Sequence, residues 1–197
     1  MSDEFSSAPA LDALALLELD SIARGYRALD ALAKEAPVRV VHANLVEPGK
    51  FLILFGGGVA ETESAFAVGR AVAGECLLDE VLLPFVDARI WAGLRGACTS
   101  GEIDTVGVVE GSGVAPTIAA CDHALKTAAV DLGALRVVTG LGGKAFFVVQ
   151  GVQHDVEAAI DAAVAVLSTK LVRAERIARP HPDFLAHLLR PSPFGAY

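Results

Sequence analysis

The sequence predicts an α/β (α+β) chain built from two tandem ferredoxin-like βαββαβ units, and three observations carry that reading. One pattern of residues occurs twice in the same order. Each copy alternates short apolar runs of strand length with stretches of helical spacing. The composition, 53% apolar with only 6% aromatic, suits a core of Ala, Val and Leu in which helices pack closely on sheets.

The repeat comes first, because a missed repeat misassigns the whole fold. A shift of 92 residues superposes Glu18 on Glu110, Asp30 on Asp122, Lys34 on Lys126 and Val38 on Val130. At a shift of 94, Gly49-Lys50 meets Gly143-Lys144, Gly57 meets Gly151, Glu63 meets Glu157 and Leu77 meets Leu171. A shift of 96 brings Pro84 onto Pro180 and Asp87 onto Asp183. Matches that keep their order through a whole unit, with small insertions only, mark a duplication.

In the first copy, the apolar run 14–19 is a strand closed by Asp20-Ser21, a strand end and a helix N-cap. A helix follows, with Ile22, Tyr26, Leu29, Leu32 or Ala33, and Ala36 on its apolar side and Arg24, Arg27, Asp30 and Lys34 opposite; Pro37 stops it. Strands are expected over 39–43 and 50–55, a turn at Gly56-Gly57-Gly58, a helix over 60–73, a strand over 77–83 and a short helix over 87–94. The second copy repeats the order: strand 106–110, helix 116–128, strands 134–138 and 144–149, helix 155–167, strand 171–178 and short helix 183–189. This is the split βαβ order, an antiparallel-rich sheet with helices on one face. The expected domains are 12–94 and 106–190, joined by a polar, Gly-containing linker at 95–105, with flexible tails at 1–11 and 191–197.

Composition excludes several function classes. A net charge of −8 leaves no basic stripe for nucleic-acid phosphates. No stretch approaches the roughly 18 apolar residues that span a bilayer, and residues 1–10 lack the basic and apolar regions of a signal peptide. Cys76, Cys98 and Cys121 are odd in number and scattered, as reduced cytoplasmic thiols are.

The stretch Thr139-Gly140-Leu141-Gly142-Gly143-Lys144 resembles a phosphate-binding loop only superficially. Val138 and Ala145 stand where that motif needs Gly and Ser/Thr, and a strand follows instead of a helix. A tight loop with positive φ or close backbone approach accounts for its glycines. His42, His123, His154, His181 and His187 lack metal-ligand spacing, and there is no Gly-x-Ser-x-Gly elbow or activated Cys. The carboxylates shared by the copies, Asp30/Asp122 and Glu63/Glu157, fall on solvated helix faces. Lys34 and Lys126, near helix ends, are solvated lysines or donors to terminal carbonyls.

At these residues the chain resembles the tandem-domain shell proteins of bacterial microcompartments, over about residues 12–190 and most closely the single-layer propanediol-utilisation type. Residues 16–25 (LLELDSIARG) look like the family's opening strand and helix, and DALAK at 30–34 and DHALK at 122–126 match its D-x-x-x-K helix. PGKFL at 48–52 and GLGGKAFF at 140–147 look like its pore loops with the following strands, and IARPH at 177–181 is similar to its closing motif.

The resemblance implies a structural protein, not an enzyme: a homotrimer whose six domains mimic a hexagonal tile in a cytoplasmic microcompartment shell. It would sit among hexameric and pentameric shell proteins around encapsulated enzymes, with no nucleic-acid or membrane partner. Glu47, Pro48 and Gly49 of one loop and Gly140, Leu141, Gly142 and Gly143 of the other would line a central pore for metabolites. Lys34, Lys126 and Arg179 would make tile-edge contacts. Some relatives carry a pore-loop Cys that holds an iron–sulfur cluster; here Glu47 takes that place, so no cofactor and no metal are expected. The rival function is a soluble small-molecule-binding or catalytic protein on duplicated ferredoxin-like domains, and size measurement separates the two.

Overall fold

The computed structural model describes residues 11–97, 103–137 and 142–188, with the side chains of 186–188 left aside. The expected tails apart from Leu11, the middle of the expected linker (98–102) with Cys98, and Gly140 and Leu141 of the second loop lie outside the described residues.

The first half runs β1 (Ala13–Leu19), α1 (Ile22–Glu35), β2 (Arg39–Val46), β3 (Lys50–Gly57), α2 (Val59–Ala73), β4 (Leu77–Leu83) and α3 (Ala88–Leu94). The second runs β5 (Thr105–Gly111), α4 (Val114–Thr127), β6 (Asp131–Val137), β7 (Ala145–Gly151), α5 (Gln153–Leu167), β8 (Leu171–Ala178) and α6 (Pro182–Leu188). Each half forms a four-stranded antiparallel sheet, ordered β2-β3-β1-β4 and β6-β7-β5-β8. The expected tandem βαββαβ architecture is therefore present in both copies.

Strand alternation assigns the faces of the first sheet. Ala15, Leu17, Leu19, Phe51, Ile53 and Phe55 point to α1 and α2 and form one core with Ala28, Leu32 and Ala65. Leu14, Leu16, Leu52 and Leu54 point the other way, into a larger core shared with α3 and with the helices of the second half. Both faces being covered explains why β1 reads ALALLEL, with hardly a polar residue. Each fully buried Leu contributes about 1.5–3 kcal/mol, so the two halves are held together by core packing.

Four expectations change. The helices are not confined to one face: α3 covers the sheet face opposite α1 and α2, with Trp91 packed over β3 and its Nε1 donating to Leu11 O at 2.9 Å. Gly56 and Gly57 belong to β3 and Gly58 is the N-cap of α2; the glycines make close packing and a helix entry, not a turn. The face of α1 turned to its own core is Gly25, Ala28 and Leu32, while Ile22 is exposed and Tyr26, more than half exposed, rests its ring against Phe51 with centroids 4.9 Å apart. Phe51 fills the space beneath α1, and a Cβ at Gly25 would stand 2.3 Å from its ring. Finally, the last elements align at a shift of 94, not 96. α3 corresponds to α6 residue for residue, and Phe85 (φ 55°) and Arg179 (φ 49°) adopt the same left-handed corner. Trp91 thus corresponds to Leu185, which packs against the second sheet as Trp91 packs against the first.

Candidate functional site

The two glycine–lysine loops come together although they are almost a hundred residues apart. The first, Glu47-Pro48-Gly49, is the exposed tip of the β2–β3 hairpin, with a cis Glu47–Pro48 peptide and Gly49 N donating to Val46 O at 3.0 Å. In the second, only Gly142 and Gly143 are described, leading into β7. Gly143 has φ 84°, and a Cβ there would lie 3.2 Å from Glu47 O and 3.4 Å from Pro48 Cδ. Backbone crowding with a left-handed conformation is the condition that selects glycine. Both loops lead into strands, so neither presents a helix N-terminus to a phosphate.

The lysine of each loop meets the repeated strand glutamate. Lys50 Nζ lies 3.3 Å from Glu18 Oε2, and Lys144 Nζ lies 2.9 Å from Glu110 Oε1. Glu18 is nearly fully buried, and its second oxygen crosses to the other half. Oε1 accepts from Val114 N at 2.9 Å and Ala115 N at 3.0 Å, the opening amides of α4. The N-cap of α4 is Gly113, which has no side chain to bond these amides, so a carboxylate from another domain does. Glu18 and Glu110 occupy equivalent positions of the repeat. A charged residue inside the run Leu17-Glu18-Leu19 is the signal that such a partner must exist.

A second link joins the halves at the other end of α4. Asp122, expected on a solvated helix face, is instead buried against the first half, where it accepts from Asp87 N at 2.8 Å and from Lys126 Nζ at 2.6 Å. Arg89 donates to Val130 O, to Leu125 O at 2.9 Å and to the Asp87 carboxylate at 2.7 Å. The Arg89 guanidinium holds the Asp87 carboxyl below the usual carboxylate range, and Asp87 in turn raises Arg89. Burial pushes the neighbouring Cys121 thiol well up, which leaves it protonated and unreactive.

The three edge candidates stand in different settings. Lys34 is exposed and pairs with exposed Asp30 at 2.6 Å. Lys126 makes the same i,i+4 pair, but with the buried Asp122 of the domain junction. Arg179 lines an open groove of about 870 Å³ with Asp104, Asp155 and Pro180. Among the described residues no cluster of three or more His, Cys, Asp or Glu side chains could hold a metal ion. No described helix is long and apolar enough to cross a membrane.

Comparison with known proteins gives consistent results. The family model described as the BMC domain matches residues 13–86 and again 105–180. The bacterial microcompartment shell protein PduT of Citrobacter freundii is 37% identical over 171 residues, covering 86% of this chain and 93% of that protein. A crystal structure of a microcompartment protein from Desulfitobacterium hafniense superposes with a TM-score of 0.80 at 36% identity, over 90% of this chain and 99% of that one. The fused permuted hexameric shell protein of the RMM microcompartment shares the fold, with a TM-score of 0.57 at 18% identity over 83% of this chain and 85% of that one.

Proposed function

This chain belongs to the BMC-domain family, one domain in each half, and from that premise we propose that it is a structural shell protein of a bacterial microcompartment. Three copies close a pseudohexagonal tile around a central metabolite pore. The family's work is structural, and the absence of any catalytic role here is part of the proposal. The observation that carries it is the meeting of the two loops. One hairpin tip from each domain, Glu47–Pro48 and Gly143, lies side by side. Two such domains per chain form a six-domain ring by cyclic symmetry when three chains meet, and the loops then fall on the axis.

In this reading Glu47, Pro48 and Gly49, with Gly140, Leu141, Gly142 and Gly143, line the pore. Lys34 and Arg179 face neighbouring tiles, and Lys126 shares that rim while also holding Asp122. Other hexameric and pentameric shell proteins surround the tile, and enzymes lie inside the shell. The first pore loop offers Glu47, Pro48 and Gly49 and no thiolate. An iron–sulfur cluster needs cysteine ligands, so the pore is proposed to be free of one.

Light scattering tests the ring: the expected mass is three times the 20.4 kDa chain. Electron microscopy of the concentrated protein is expected to show flat sheets of tiles. A monomer or dimer at micromolar concentration overturns the reading.

A further inference from the structure

The same helix is buried in one half of the chain and bare in the other. In α4, the positions Val114, Ala115, Ile118 and Asp122 are buried, because this face lies on β1 and β4 of the first half. Their counterparts in α1 are Ile22, Ala23, Tyr26 and Asp30, all exposed; Tyr26 is 58% exposed where Ile118 is 0%. The surface that receives α4 shows the same asymmetry. Leu16 and Leu52 are fully buried, whereas their counterparts Val108 and Phe146 are only partly covered. Glu18 is 1% exposed and caps α4; Glu110 is 34% exposed with its lysine already in place. The chain thus carries one completed junction and, at its two ends, the two unfilled halves of a second.

We infer that Glu110 of one copy caps α1 of the next, accepting the amides of Ile22 and Ala23 as Glu18 accepts those of Val114 and Ala115. The Ile22–Tyr26 face then lies on Val108 and Phe146. This rests on the ring reading above and names the contact that closes the ring. The chemistry at α1 fits. The side chain of Ser21 accepts from Arg24 N, and the first two amides of a helix have no acceptor within it. A carboxylate brought against them is favoured by the helix dipole as well.

The flanking charges have changed together. In the internal junction Asp79, paired with Lys170 at 3.1 Å, faces the corner Ser112-Gly113, with Asp79 Oδ2 3.4 Å from a Cβ built on Gly113. In the other junction the counterpart of Asp79 is Arg173, and the corner is Asp20-Ser21. Across the inferred contact a cation, which within its own chain pairs with Glu175 at 2.7 Å, faces an acid, in place of an acid facing a neutral corner. That complementarity is what a second copy supplies and what an unrelated partner would have to imitate.

Hydrogen exchange with dilution light scattering on the full chain tests the contact. The expected result is that the wild type associates and protects the segment carrying Ile22 and Ala23. Glu110→Ala is expected to raise the dissociation midpoint about tenfold or more, the effect of losing a charge-assisted contact, and to release that segment to exchange, with Glu110→Gln intermediate. A residue acting only within the second domain would not move exchange in α1. A wild-type trimer whose Ile22–Ala23 exchange and midpoint ignore Glu110→Ala overturns this inference and leaves the ring standing. A wild type that is monomeric overturns the ring itself, and this contact with it. If Glu110→Ala does not fold, Ala23→Arg, at an exposed position of the same face, decides: dissociation into folded monomers supports the docking face, and an intact trimer overturns it.

Discussion

The amide of Asp87 donates to the carboxylate of Asp122 at 2.8 Å, so the N-cap of α3 in the first domain is fastened to the C-terminal half of α4 in the second. Arg89 completes this link by covering two carbonyls near the end of α4, Leu125 O and Val130 O, while its guanidinium stays paired with Asp87. Carbonyls at a helix end have no intrahelical donors, and a guanidinium supplies several at once.

Arg89→Ala is therefore expected to destabilise the chain by about 1.5–3 kcal/mol, the range for hydrogen bonds to charged groups. The companion experiment is a pH series. Arg89 lowers the Asp87 carboxyl from its ordinary value of 3.8, so the folded chain holds that proton less tightly than the unfolded one. The resulting stability is fully present above about pH 5 and is lost as the pH falls through 4 and below. Thermal unfolding followed by circular dichroism between about pH 5 and about pH 3 should show a shallower decline for Asp87→Asn than for the wild type. Asn keeps the N-cap hydrogen bond, which isolates the charge. Parallel declines would mean that Asp87 does not carry the acid sensitivity.

In the proposed tile, Lys34 is the cleaner probe of edge packing, because Lys126 also pairs with the buried Asp122. An exposed i,i+4 pair contributes about 0.3–0.5 kcal/mol, so Lys34→Ala should leave the unfolding temperature and the trimer almost unchanged. Its expected effect is the loss of ordered sheets in electron micrographs. Sheets that form normally would remove Lys34 from the edge.

For the pore, three copies of Glu47 would ring one opening, and rings of carboxylates disfavour anions. In assembled shells, Glu47→Gln is expected to raise the passage of an anionic metabolite relative to a neutral one of similar size. An unchanged ratio would move selectivity to the backbone amides of residues 140–143.

Much of this was legible in the chain. The duplication of Glu18, Asp30 and Lys34 as Glu110, Asp122 and Lys126 announced two equal units, and the order of apolar runs placed every strand and helix. The triple glycine misled because Gly is read as a turn, yet Gly56 and Gly57 extend β3. The end alignment misled because Pro84 and Pro180 look equivalent, while the shared left-handed corner pairs Phe85 with Arg179.

The sequence by itself determined the repeat, the antiparallel units and the pairing of positions between them, because periodicity and local stop signals are properties of neighbouring residues. Only the tertiary structure decided which of two equivalent residues is buried. Ile22 and Val114, Tyr26 and Ile118, Glu18 and Glu110 are alike by pattern, and each pair is split by whether the other domain of the same chain lies against it. Apolar spacing in α1 marks a face that excludes water but says nothing of what excludes it. Here the Gly25-Ala28-Leu32 face lies on the chain's own sheet, whereas the face carrying Ile22 and Ala23 has no second domain against it as α4 has.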